Sequence, residues 1–288
     1  MSNALREMPA LASLYLKAVR KKNNKNSSLE TPLPALEVTL DNQRINLKHL
    51  QRYCGLCGFP QGKDLPPTYL QILSFPLQMH LLTNPKMPYA VMGLVHLENR
   101  VDVLAPLVFE DGIVNFRVFI GEQRLTSAGL VFEVIAEAKD SKGECVWRAS
   151  AGLLHRCKTG IEKPERKDIK PLGTNKRQWS LAGNIGRRYG TLSKDMNPIH
   201  LFGVTAKLFG FKRHIAHGLF INAKATANMT GMVPPAPYSI ATEFKRPLFI
   251  PAKPVLYQGN DQHDLKLELW SQDHKNLHMA VRIHPITA

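Results

Sequence analysis

Twice along its 288 residues this chain runs through a helical pattern first and a series of extended segments after it. That order narrows the fold more than any other feature. Sequential strands joined by short turns form an antiparallel sheet, and a sheet with one apolar face must cover it with a helix or a second sheet. In the first half, a turn-rich stretch (residues 53–67) precedes a helical pattern over 68–82. Extended segments follow at 91–103, 112–121, 123–139 and 144–155, rich in Val, Phe and Ile and punctuated by Pro106, Asp111-Gly112 and residues 140–143. The second half reads as helices over 187–193, 198–209 and 218–230, the last closed by a left-handed cap at Gly231. Extended segments then occupy 238–249, 253–259, 265–271 and 278–283. The expectation is a duplicated α+β unit. By identity the repeat is faint: Asn99–Leu107 is only loosely echoed by Phe244–Pro251.

Residues 158–176 are polar, charged and Pro/Gly-bearing, so they read as the linker between a unit at 31–157 and another at 177–288. Residues 1–30 read as a surface helix over 4–20 followed by a polar linker, with no clear signal-peptide core or cleavage site. Hydrophobic content of 44% with 21% charged residues excludes wholesale disorder. No apolar run approaches ~18 residues, which excludes a membrane-spanning helix. Four Cys are too few for a disulfide scaffold and fit a reducing compartment, so the expected location is cytoplasmic, with the mitochondrial matrix as a minor alternative. Charge is lopsided: residues 1–150 hold 17 Lys/Arg and 14 Asp/Glu, whereas 151–288 hold 21 and 9. The second half therefore nets +12, which implies an anionic partner.

Chemistry concentrates in residues 189–220. Asn197 before Pro198 is a helix start, since Asn caps and Pro tolerates the first helical position. His200 then falls in the first turn, and Asp195 lies two residues before the cap. A carboxylate and an imidazole converging on one water-sized gap make a minimal general acid/base pair. His217-Gly218 opens the next helix, where a side-chain-free Gly lets its N–H approach a ligand carbonyl. Taken singly, Asp-X-Asn-Pro is a common turn string and a lone His in a first helical turn is ordinary; the combined spacing is not.

The string Tyr189-X-X-Leu192-Ser193-X-Asp195-X-Asn197-Pro198-Ile199-His200, with Ala206 and then Ala216-His217-Gly218, resembles the MaoC-like dehydratases, which include (R)-specific enoyl-CoA hydratases and type 2 3-hydroxyacyl-thioester dehydratases. The match covers roughly residues 178–285, and the whole chain resembles the double-hotdog subgroup. Lys194 stands where that family usually has Gly, and Ala252 where Gly is common. The resemblance implies two helices, each wrapped by a curved antiparallel sheet, with the sheets side by side and the N-terminal copy non-catalytic. It implies reversible hydration of a trans-2-enoyl thioester to an (R)-3-hydroxyacyl thioester in fatty-acid or lipid metabolism. Asp195 would be the general base, His200 would share proton transfer, and the Gly218 N–H would polarise the thioester carbonyl. Asn197 and His217 would line the substrate site, and Lys245 and Arg246 would meet carrier phosphates. No metal or redox cofactor is implied, coenzyme A entering only as part of the substrate. The expected partner is an acyl-CoA or an acyl carrier protein thioester, with a homodimer as a further expectation. Two other readings keep the fold: a non-catalytic thioester-binding module and a hotdog thioesterase.

Other constellations carry less. Cys54-X-X-Cys57 lacks two further ligands for zinc and a βαβ context for redox work, so it reads as loop cysteines. His80 and Asn84 have no carboxylate beside them in the sequence. Lys207, Lys212, Arg213 and His214 add to a basic face, with Phe209 and Phe211 expected in the core. Nucleic acid is not expected, because no reading helix or interleaved exposed aromatics are legible.

Overall fold

The computed structural model describes residues 3–24, 29, 31–62, 64–109, 111–165, 169–173, 175–261 and 264–287. From the N-terminus come β1 (Asn3–Leu5), α1 (Leu11–Arg20), β2 (Glu37–Arg44), α2 (Leu47–Cys57), α3 (Tyr69–Leu73) and α4 (Phe75–Leu82). Four strands follow: β3 (Val95–Val103), β4 (Ile113–Thr126), β5 (Gly129–Lys139) and β6 (Cys145–Arg156). Next are β7 (Lys176–Gln178), α5 (Ile185–Ser193), a 3-10 turn (Pro198–His200), α6 (Gly203–Lys207) and α7 (Gly218–Ala227). The chain finishes with β8 (Tyr238–Phe244), β9 (Val255–Asp261), β10 (Asp264–Trp270) and β11 (Leu277–Pro285).

These elements fall into two units. Unit 1 takes Met1–Ile45, Leu73–Asn99 and Phe109–Asp168; unit 2 takes Asn46–Ile72, Arg100–Val108 and Ile169–Ala288. The division at 168/169 lies inside the stretch expected as a linker. Residues 46–72, expected in the first half, belong instead to unit 2. Their amphipathic spacing explains why: Leu50, Tyr53, Cys54 and Cys57 form one buried face of α2, which packs on α5 and α7. Asn46 caps α2 by accepting from the His49 N–H at 3.1 Å, and Gly58 ends it in the left-handed region at φ 94°. The cysteines expected in a loop therefore lie on this helix, where burial pushes the Cys57 thiol up to about 12.

The sheet of unit 1 runs β2-β4-β5-β6 antiparallel, with β1 added in parallel beyond β2 and, beside β6, β3, whose residues from Arg100 onward fall in unit 2. Its central helix α4 buries Pro76, Leu77, Met79, Leu81 and Leu82 and packs against β2 and β4. A helix apolar on nearly all sides belongs inside a fold. The outer face carries an ionic ladder: Glu137, 4% exposed, is held by Arg117 at 3.2 Å and Arg148 at 2.5 Å, and Arg117 also reaches Glu37 at 2.6 Å. Helix α1, expected on the surface, docks instead, burying Leu14 and Ala18 against Met79. Glu122, expected to separate two strands, lies in a bulge within β4, and the chain turns at 127–128 before Gly129.

Unit 2 repeats the pattern: β7-β9-β10-β11-β8 around α7, whose Phe220, Ile221, Ala223, Ala225 and Ala227 are buried. Counted within its own unit, each sheet runs first, third, fourth, fifth, second strand. The fold is α+β, and the duplication faint in sequence is plain in strand order. Helix α7 stops at Ala227, short of the expected Thr230, because Asn228 turns its side-chain amide back onto the Lys224 carbonyl at 2.6 Å. Gly231 still adopts the left-handed conformation, at φ 85°.

Candidate active site

Helix α5 of unit 2 is the bed on which the motif lies. A Cβ built on Gly186 would sit 2.0 Å from the His200 carbonyl oxygen, and one on Gly190 would sit 2.8 Å from that of Asp195. Two glycines one helical turn apart thus let the loop 195–200 rest its main chain directly on the helix. Lys194 ends α5 at φ 66°, the left-handed cap position that glycine fills without strain. Gly, which the family resemblance implies as the usual residue here, would meet no such strain. The conformation costs a side-chain-bearing residue ~1–2 kcal/mol, and a glycine's extra unfolded-state entropy returns about half of that. Lys194→Gly is therefore expected to raise stability by ~0.5–1 kcal/mol, visible as a higher urea midpoint with an unchanged slope.

The loop then builds itself from local hydrogen bonds. The Asp195 carboxylate accepts from the Asn197 N–H at 3.2 Å, and Asn197 Oδ1 accepts from the Ile199 N–H at 3.3 Å, capping the 3-10 turn. The expected helix over 198–209 is broken: Phe202 is extended, and only Gly203–Lys207 resumes a helix. Arg187 causes the break by donating to the Leu201 carbonyl at 2.9 Å while stacking over the Phe202 ring at 4.7 Å. Beyond it, Val204, Leu208 and Phe209 are exposed, so Phe209 is not in the core as expected.

His200 is buried, and its Nδ1 lies 2.9 Å from the Ile215 carbonyl. A carbonyl only accepts, so Nδ1 carries the proton and Nε2 is left with the lone pair. The ring of His217 stacks on that of His200 with centroids 3.7 Å apart. His217 Nε2 donates to the Asp195 carbonyl at 2.9 Å and lies 3.8 Å from Asp195 Oδ2. Burial, and next the neighbouring His200, depress His217 to about 3. Burial likewise lowers His200, with Asp195 opposing the shift. Both imidazoles are neutral near pH 7. His217, expected to line the substrate site, is tied through Nε2 to the Asp195 main chain, and its Nδ1 is buried without a hydrogen-bond partner.

One donor atom each from Asp195, His200 and His217 lies within 4.8 Å of the others, a spacing that also suits a cation. The proton that His217 Nε2 gives to the Asp195 carbonyl bars that nitrogen from ligation. Gly218 is the first residue of α7, where N–H groups have no intrahelical partner. Its missing Cβ also makes room for Phe244, whose ring carbons would lie 3.0–3.2 Å from such an atom. Lys245 is ion-paired with Glu243, and Arg246 donates to Asn276 at 2.6 Å, so the two expected phosphate contacts are already engaged.

Sequence reasoning missed Gly186, Gly190 and His49, and gave Tyr189 a place in the motif but no role. Gly186 and Gly190 form a Gly-X-X-X-Gly spacing that starts one residue before the helix expected over 187–193. Tyr189, fully buried, packs its ring 5.1 Å from that of His217. His49 of α2 accepts from the Tyr69 hydroxyl at 2.9 Å and donates through Nε2 to the Leu192 carbonyl at 2.9 Å, tying down the end of α5 just before Asp195. No local signal in the sequence links residue 49 to residue 192.

Residues 171–282 match the MaoC like domain family. The chain is 30% identical over 256 residues to 3-hydroxyacyl-thioester dehydratase X of Mycobacterium tuberculosis, covering 87% of this chain and 90% of that protein. The crystal structure of HtdX from the same organism aligns with a TM-score of 0.74 at 27% identity, over 86% of this chain and 99% of that one. A MaoC-like dehydratase from Phytophthora capsici shares the fold at 17% identity, with a TM-score of 0.67 over 90% and 98% of the two chains. With the motif residues gathered on one glycine-bedded loop and a relative matched along nearly its whole length, the chain belongs to the family of MaoC-like dehydratases.

Proposed function

We propose that this chain is an (R)-specific enoyl-thioester hydratase that also runs the reverse dehydration of a (R)-3-hydroxyacyl thioester, within lipid metabolism. One observation carries the reading: a carboxylate oxygen of Asp195 and a ring nitrogen of His200 lie within 4.8 Å of each other, and the His200 Nε2 lone pair makes the imidazole a second proton acceptor beside the carboxylate. A water molecule has two protons to offer such a pair. In the hydration direction the water oxygen bonds the β-carbon, one water proton passes to Asp195, and the α-carbon takes up a proton from the same dyad. The enolate character that develops on the thioester carbonyl is stabilised by the Gly218 N–H, aided by the positive end of the α7 dipole. His217 is a positioning residue, fixing the Asp195 main chain and stacking on His200. Asn197 holds the loop. The carrier is coenzyme A or an acyl carrier protein, and the relative's name, a 3-hydroxyacyl-thioester dehydratase, supports a thioester substrate.

The test is hydration of crotonyl-CoA by the purified chain, followed by loss of enoyl absorbance, with chiral analysis of the product. The expected product is (R)-3-hydroxybutyryl-CoA. An (S) product, or release of free thiol without hydration, would overturn the proposal.

A further inference from the structure

Unit 1 holds a cavity of about 390 Å³ that the hydration chemistry does not use. Its lining comes from two helix ends: Lys17, Arg20 and Lys21 at the close of α1, and His80, Thr83 and Asn84 at the close of α4. Its volume lies in the ~300–1,000 Å³ range of small-molecule sites. No Asp or Glu is among its described lining residues.

Cations at a helix C-terminus have an ordinary explanation, because the carbonyl ends attract them. The magnitudes decide against that as the whole account. Two helix ends supply about −0.5 charge each, while three side chains supply +3, leaving roughly +2 facing the cavity. Lys21 is part-buried, and its ammonium donates at 2.8 Å to the Asn84 carbonyl, an uncharged partner. Burial holds Lys21 below the usual lysine range, and burial together with Lys17 holds His80 below the usual imidazole range. The Lys21 shift reports burial alone, and the second cause of the His80 shift, the nearby Lys17, reports positive charge beside the imidazole.

We infer that this cavity of unit 1 is a binding site for a phosphate-bearing small molecule, held by Lys17, Arg20 and Lys21 with the His80 ring and Asn84 amide at its polar edge. The inference uses none of the residues assigned to hydration and goes beyond that reading.

Isothermal titration of the full chain at low ionic strength tests it, with inorganic pyrophosphate as the probe and adenosine as the phosphate-free control. One pyrophosphate per chain should bind, and affinity should fall as salt rises to ~0.15 M, where charges beyond ~8 Å are screened. Lys17→Gln/Arg20→Gln, both exposed positions, should weaken binding by ~10-fold or more with an unchanged thermal melt. Adding Lys21→Gln should abolish it; should that triple variant unfold, the double variant alone decides. Adenosine 3′,5′-bisphosphate separates two sources of the phosphate. If it binds more tightly than pyrophosphate and responds to the same substitutions, the ligand is a coenzyme A nucleotide; if it does not bind while pyrophosphate does, the ligand is a free phosphorylated compound. Absence of pyrophosphate binding, equal affinity in the double variant, or loss of binding in Lys245→Gln/Arg246→Gln instead would overturn the inference.

Discussion

Asp195→Asn is expected to lower the turnover number for crotonyl-CoA hydration by ~10²–10⁴, the usual worth of one positioned general base. The substitution keeps an oxygen at Oδ1, so the 3.2 Å bond from the Asn197 N–H and the loop it stabilises should survive. What disappears is the acceptor charge. His200→Ala removes the second acceptor and should cost a similar factor. Because both groups serve one water, the double variant should be little slower than the slower single variant. Steady-state rates on the three proteins, each with a wild-type circular dichroism spectrum, check this. A folded Asp195→Asn protein with near-normal turnover would remove the dyad from the mechanism.

Gly186→Ala should be nearly as damaging without touching a reacting group. A methyl group there would stand 2.0 Å from the His200 carbonyl oxygen, and neither the buried helix nor the capped loop can give way cheaply. Relief needs a shift of about 1 Å, and a misplacement of that size costs on the order of 10²-fold in rate. Overpacking adds a destabilisation of ~1–3 kcal/mol. Gly183→Ala is the control: its new methyl would meet only Pro251 Cδ at 3.5 Å, an ordinary contact. The discriminating result is a turnover loss in Gly186→Ala at temperatures well below its melt, with Gly183→Ala within a few-fold of the parent. Full activity in Gly186→Ala would mean that the loop does not depend on this close approach.

How much of this was legible depended on whether the signal was local. Strands β4, β5 and β8 announce themselves through runs of β-branched and aromatic residues, and the order of helix before strands follows from reading along the chain. The loop from Asp195 to His200 is legible because capping and spacing are properties of neighbouring residues. What failed was non-local. Residues 53–57 read as part of a turn-rich stretch because Gly55 and Gly58 weigh against a helix, whereas the apolar face that forms α2 is decided by α5 and α7. The helix expected over 198–209 was cut by Arg187, eleven residues earlier than its start. Lys245 and Arg246 are legible as charges, whereas their Glu243 and Asn276 partners appear only in the fold.

The repeated strand order has a consequence for what mutation can do to such a molecule. In an assembly of two identical single-unit chains, every substitution appears twice, so a change that suits one copy is imposed on the other. A chain carrying both units in tandem has no such obligation. Here one unit bears the Asp195 loop, while at the close of its central helix the other keeps His80 and Asn84 beside a basic cavity. Fusion has freed each half to be edited separately, and a library that varies α4 alone would explore binding without resampling catalysis.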